Sequence, residues 1–367
     1  MNIIRPLSLA YSAALPLLFL SFFSRVSLAS PRVPAMFVFG DSLVDAGNSN
    51  YLASLAKCGY YPYGIDFTGG PSGRFSNGKT FVDIIGEMMG TPAPPSYADP
   101  TTTGARLLGG SNYATAAAGI LDETGQHYGQ RFALSMQVLN FESNLNQLRT
   151  MMNATTLSQY LAKSLVVMVF GSNDYINNYL MPALYASSYL YTPPAFANLL
   201  LNRYTRQILA LHSLGLRKFF LAGIGPLGCI PNQRATGQAP PDRCVDKVNE
   251  MLGPFNEGLR SLVTQLNANH PGAIFVYGNT YSAMGDMLNN PATYGFNTID
   301  RACCGIGRNQ GQITCIPLAV PCPNRNQYAF WDAFHPTQAA MTVLAQRAFS
   351  GPPQDCYPIN ILQMSLL

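Results

Sequence analysis

At 367 residues and 48% hydrophobic content the chain can bury a large core, and length alone would allow two domains of roughly 150 residues each. Its formal charge of +4, from 22 basic and 18 acidic residues, is too mild for a protein working on nucleic acid or a strongly anionic surface. No polar, Ser-rich or charged linker divides it and no repeat appears, so one large domain is expected.

The first element is a leader. Arg5 precedes a long apolar stretch, Leu7 to Phe23, and Ser27-Leu28-Ala29 then puts small residues at the two positions a signal peptidase reads. Residues 1–29 therefore read as a secretory signal peptide and 30–367 as the mature chain. A membrane anchor is the alternative, but a spanning helix needs about 20 apolar residues; this stretch is shorter and holds Pro16. No later segment is apolar for long enough to span a bilayer, so a soluble, exported protein is expected.

Ala35 to Gly40 is a compact apolar run, the mark of a buried strand, and Ser42 follows it within Gly40-Asp41-Ser42-Leu43. Gly73 to Thr80 matches the phosphate-loop pattern G-x-x-x-x-G-K-[ST] letter for letter. Such a loop works behind a buried strand, whereas turn-forming Gly64 to Ser72 leads in here, so a structural loop is expected. Asn153-Ala154-Thr155 is the only N-glycosylation sequon, usable in an exported chain. Leu165 to Phe170 repeats the buried-strand pattern and places Asn173 just past its end. Helical spacing runs from Phe196 to Leu214, and Lys218 to Ala222 is the next strand. The glycines Gly223, Gly225 and Gly228 after it form G-x-G-x-x-G, but Cys229-Ile230-Pro231 is unsuited to open the helix that would hold a pyrophosphate. A second helical pattern spans Val245 to Leu266, and Ala273 to Tyr277 is a further strand.

Strands without polar alternation, separated by helices, imply a parallel sheet buried on both faces and hence a three-layer α/β/α fold. In such sheets functional groups gather at the carboxyl ends of the strands. Eight cysteines lie beyond the leader, and an even number in an exported chain reads as disulfides. A zinc site of Cys303, Cys304, Cys315 and Cys322 is the alternative, but adjacent cysteines do not fit the usual C-x-x-C knuckle. Near the C-terminus, Asp332 and His335 stand three residues apart, a spacing that lets a carboxylate orient an imidazole in one turn of chain. A serine hydroxyl needs such an oriented base to become a nucleophile. His127, His212 and His270 have no comparable acidic neighbour.

The segments Phe37 to Asn48, Gly73 to Asp83, Asn112 to Gly119, Gly171 to Tyr175, Arg301 to Gly305 and Phe330 to Thr337 together resemble the plant GDSL esterase/lipase family of the wider SGNH hydrolase superfamily. The likeness covers essentially all of the mature chain. It implies a flavodoxin-like sheet without the G-x-S-x-G elbow of α/β-hydrolases, which this sequence lacks. By the same resemblance Ser42 is the nucleophile, His335 the general base and Asp332 its orienting acid. The oxyanion hole would combine the N–H groups of Ser42 and Gly119 with the Asn173 side-chain amide. One departure is Ala116-Ala117, where relatives often carry glycines; it stiffens the loop and leaves the backbone donor intact.

The activity implied is hydrolysis of a carboxylic ester through an acyl-enzyme, with no metal or organic cofactor. The partner implied is a small-molecule ester, lipid acyl esters being the family default; sugar acetates, phenolic esters and cutin monomers are chemically open. The resemblance also implies an extracellular, cell-wall location. An acyltransferase using the same acyl-enzyme is the first alternative. A binding protein that merely keeps the fold is the second, and it would have no need of an aligned base.

Overall fold

Strand runs with no polar alternation can be buried only if helices cover both their faces, and the chain does this with one sheet. The computed structural model describes residues 32–238, 240 and 243–367; the leader assigned to residues 1–29 lies outside them. The strands are β1 (Met36–Gly40), β2 (Gly110–Asn112), β3 (Leu165–Val169), β4 (Lys218–Ala222), β5 (Ile274–Gly278), β6 (Thr298–Ala302), β7 (Tyr328–Phe330) and β8 (Cys356–Tyr357). The main sheet has the order β2-β1-β3-β4-β5-β8, and β6 pairs with β7 apart from it. All main-sheet pairings are parallel except that of β8, which closes the edge antiparallel beside β5.

Alternate residues of each strand feed different cores. Phe37, Phe39, Val166, Met168, Phe219, Leu221 and Phe275 enter one. Against them pack the helices α2 (Leu134–Met151), α3 (Ala154–Lys163), α4 (Pro193–Ser213) and α5 (Asp246–Asn269). Met36, Val38, Leu165, Val167, Phe220 and Val276 enter the other, under α1 (Phe81–Met89) and, later in the chain, α7 (Gln338–Ser350). The helix α6 (Thr280–Asn289) packs through Met284, Met287 and Leu288 into a smaller cluster with Phe330. Each large apolar side chain so buried contributes about 1.5–3 kcal/mol, which favours apolar residues along the strands; Lys218, at the start of β4, is the exception. The result is the three-layer arrangement expected from the sequence.

Strand order reverses between β1 and β3, since the chain adds β2 on one side of β1 and every later strand of the main sheet on the other. Crevices outside the carboxyl ends at such a reversal are where ligands bind in open α/β sheets. Ser42 follows β1 and Asn173 follows β3, so the topology alone puts them side by side.

Neither glycine-rich segment holds a nucleotide cradle. Gly73–Thr80 runs into α1 with Thr80 as its N-cap; Arg74 makes a two-bond ion pair with Asp83 (both 2.8 Å), and Lys79 pairs with Glu87. After Gly228 a short helix, Pro231–Ala235, does open, contrary to the sequence expectation, because proline is well suited to the first helical position. A side chain at Gly228 would meet the Val245 carbonyl oxygen at 2.2 Å, so this glycine serves close packing.

The cysteines also depart from full pairing. Disulfides join Cys229 to Cys244, Cys303 to Cys322 and Cys304 to Cys315, which uses all four cysteines considered as zinc ligands. Cys58 and Cys356 remain free and buried, packed as small apolar residues.

Candidate active site

β1 ends at Gly40, where a side chain would lie 2.5 Å from Val44 Cγ2 and 2.9 Å from the Val169 carbonyl oxygen. The chain can therefore turn sharply there and present Ser42. Gln137 clamps the strand end, accepting from the Gly40 N–H (2.9 Å) and donating to its carbonyl (2.8 Å). Asp45 holds the turn below by accepting from the N–H groups of Gly47 and Asn48, both at 2.7 Å. It also accepts from the Ser49 hydroxyl at 2.6 Å, and Ser49 in turn accepts from the Ala116 N–H. The turn after β1 is thus tied to the loop after β2.

Asp332 and His335 form the single turn of chain that their spacing suggested. The Trp331 N–H donates to the His335 carbonyl, while Asp332 Oδ1 accepts from the N–H groups of Phe334 and His335 at 2.9 and 2.8 Å. His335 Nδ1 lies 2.8 Å from the same oxygen. With Nδ1 donating to the carboxylate, Nε2 is left to accept, and it does so from the Ser42 hydroxyl at 2.7 Å. Asp332 is fully buried. Burial opposes its charge, but the His335 imidazole, then the Tyr63 hydroxyl and the Phe334 N–H, outweigh that and hold its carboxyl below the usual range.

The Gly119 loop is fixed by Asp174, the residue after Asn173. Its carboxylate accepts from Ile120 N–H (2.8 Å), Leu121 N–H (3.0 Å) and the Thr124 hydroxyl (2.7 Å). A side chain at Gly119 would come within 2.6 Å of this carboxylate and 2.4 Å of Thr124, so only glycine fits. Asn173 donates to the Ala118 carbonyl (3.0 Å), and its own carbonyl accepts from Asn177 at 2.6 Å. Asn177 therefore settles which end of the amide faces the loop. No hydrogen bond among the described residues takes up the N–H of Ser42 or of Gly119. Two steps earlier Ala117 sits at φ +61°, a left-handed conformation disfavoured for residues with a side chain.

Ser42, Asn173 and His335 share the rim of one pocket whose walls include Leu43, Phe81, Ile176, Phe220, Met284 and Leu344. The structure thus brings together Ser42, Asp332, His335 and Asn173, with Gly119 one residue from the carbonyl that Asn173 holds. Sequence reasoning missed Tyr63, Gln137, Asp174 and Asn177. Only Asp174 carried a local signal, as the second residue of an Asn-Asp pair behind a buried strand. Of the other histidines, His127 bonds the Tyr185 hydroxyl, and His212 packs on His270. Asn153 is exposed and caps α3 through its side-chain oxygen.

Three buried carboxyls surround the site. Burial pushes Asp41 up to about 7, and Asp45 and Asp174 up to about 6, against the hydrogen bonds each accepts. A carboxyl raised above its unfolded value of 3.8 stabilises the fold fully below that value and loses this contribution as pH climbs through the folded value. Asp332 works in the opposite sense, and its contribution is complete once pH passes its unfolded value. The melting temperature should therefore fall as pH rises from about 4 to about 7, and fall less in Asp41→Asn. Thermal melts across that window check this; a flat profile would contradict it.

The family model described as GDSL-like Lipase/Acylhydrolase matches residues 36–348. Three GDSL esterase/lipases of Arabidopsis thaliana are similar over nearly the whole chain. One is 67% identical over 336 residues, covering 92% of this chain and 90% of its own. A second is 56% identical over 338 residues, with 91% and 88% covered. A third is 50% identical over 342 residues, with 92% and 93% covered.

Proposed function

Since the chain belongs to the GDSL lipase/acylhydrolase family and is a carboxylic ester hydrolase, we propose that it cleaves its substrate through an acyl-enzyme on Ser42. The observation that carries this reading is the unbroken chain from Ser42 Oγ to His335 Nε2 (2.7 Å) and from His335 Nδ1 to Asp332 (2.8 Å). His335 takes the Ser42 proton as Oγ attacks the ester carbonyl, and Asp332 stabilises the imidazolium that results. The oxyanion is received by the N–H groups of Ser42 and Gly119 and by the Asn173 amide. His335 then protonates the leaving alcohol and afterwards activates water, which releases the acid and restores Ser42.

An apolar pocket beside the nucleophile suits a lipid acyl chain, which gains about 0.8 kcal/mol for each methylene buried. Specificity should therefore rise with acyl length. Steady-state assays of p-nitrophenyl esters from acetyl to dodecanoyl test this; highest kcat/KM on the acetyl ester would exclude a lipid acyl substrate.

Residues 30–367 are proposed as the mature exported domain, glycosylated at Asn153. Three disulfides support export, since such bonds persist outside the reducing cytosol. No helix among the described residues is long and apolar enough to cross a membrane. Secreted material used in these assays should begin near Ser30 on N-terminal sequencing, and a start at Met1 would refute cleavage.

A further inference from the structure

Asp332 is fully buried, and a buried carboxylate is costly unless donors surround it. Oδ1 is saturated locally by the Phe334 and His335 N–H groups and the imidazole. Oδ2, itself 2.9 Å from His335 Nδ1, has a further partner: the hydroxyl of Tyr63, 269 positions away, donates to it at 2.5 Å. Among the described residues this is the only side chain besides His335 that bonds the carboxylate.

Tyr63 is itself firmly held. Its ring makes edge contacts with Tyr60, Phe75 and Trp331 at 5.4–6.0 Å, and Phe75 also lies against the His335 ring at 5.0 Å. Its oxygen is 3.2 Å from the Thr314 hydroxyl, inside the loop closed by the Cys304–Cys315 bridge. That loop hangs on the strand leading to Asp332, through Cys303 N–H to the Phe330 carbonyl (3.0 Å) and Cys304 N–H to the Trp331 carbonyl (2.8 Å). The phenol is fixed from one side by packing and from the other by a disulfide-braced loop.

We propose that Tyr63 is a positioning residue of the reaction: by donating to Oδ2 it locks the rotation of the Asp332 carboxylate and draws off part of its charge, so that His335 is aligned on Ser42 without being held too tightly in its protonated form. This rests on the triad assigned above. Burial and the Asp332 charge push the Tyr63 phenol well above its ordinary range, so it stays a donor at any working pH. A phenol in this place has a purpose that packing alone does not explain, since phenylalanine would fill the same space.

Tyr63→Phe keeps the ring and removes only the donor. The expected result is a kcat lower by about tenfold, or roughly 1.4 kcal/mol, with KM changed by less than about twofold. The acidic limb of the kcat profile should also move upward by about half a pH unit, because a carboxylate with one donor fewer favours the imidazolium. The other ionisable groups whose charge reaches this pair are Asp41 beside Ser42, and Cys58 and Tyr60 beside Tyr63, with Asp45 and Arg74 acting on Cys58. They are the same in both proteins and cancel in the comparison. The low-field proton resonance of His335 Nδ1–H, read by NMR, should move further downfield in the variant.

Fluorophosphonate labelling of Ser42 in the wild type separates the two ideas. Labelling elsewhere removes the triad and this proposal with it. Labelling at Ser42, with Tyr63→Phe matching wild type in kcat, pH limb and proton resonance, overturns the role of Tyr63 alone. A fall in kcat that tracks a lowered melting temperature, with the pH limb and resonance unmoved, overturns it as well.

Discussion

Ser42→Ala should lower kcat by at least about 10⁴-fold and leave the fold intact. The side chain is small and only 9% exposed, and its one role visible here is to donate from Oγ to His335 Nε2. Removing it deletes the nucleophile while the turn on Asp45 and the clamp on Gln137 remain, so the melting temperature should barely move. Residual rate enhancement would come from the oxyanion donors and pocket acting on a water molecule. Residues that act as a unit lose most of their effect at the first deletion, so adding His335→Ala to Ser42→Ala should cost little more. Assays of the single and double variants, beside fluorophosphonate labelling, check both points. A double variant slower than the single by the full His335→Ala factor would mean that the two act independently, against the hydrogen-bonded chain.

The second large effect is expected at Asn173. An oxyanion donor acts where charge develops, so Asn173→Ala should reduce kcat by about 10²–10³-fold, roughly 2.7–4 kcal/mol, with KM little changed. The amide also has a structural duty, because it bonds the Ala118 carbonyl and accepts from Asn177. Loss of those contacts costs stability on the order of 1 kcal/mol, seen as a modest drop in melting temperature. Asn177→Ala frees the amide to rotate yet removes no donor, so it should fall between wild type and Asn173→Ala in kcat. A near-wild-type kcat for Asn173→Ala with a lowered melting point would leave the oxyanion hole with backbone donors only.

What was readable in the sequence is what is stated locally. Strands β1, β3, β4 and β5 are apolar at nearly every position because both faces are covered, and a run of that kind needs no partner to be recognised. Ser42, Asn173 and the Asp332–His335 turn lie at the ends of such runs or within one turn of chain. Strand β2 escaped because Gly110-Ser111-Asn112 has neither hydrophobicity nor alternation; it exists only because β1 offers it an edge. The antiparallel β8, two residues long, is invisible for the same reason. Tyr63 and Asp174 act through contacts 269 and 50–54 positions long, which no window on one sequence reveals. The cysteine count misled in part because Cys58 and Cys356 are packing residues, and parity cannot separate those from bridged ones. Ala117 shows the reverse: the family resemblance marked it as a departure, and its backbone is left-handed, a conformation glycine adopts without steric cost.

The separation of Ser42 from His335 by 293 positions bears on how the enzyme comes into being. The proposed nucleophile is among the first parts of the fold to be synthesised and its proposed base among the last, so a chain truncated before His335 should be inert. Four parallel pairings, each joined by a crossover, must also be in register before the two side chains meet, and long-range pairing of this kind is slow. During refolding, secondary structure and burial should return first, and ester cleavage only with the last closure. The enzyme's turnover is therefore a clock for the end of its own folding, readable with a chromogenic ester and no label on the protein.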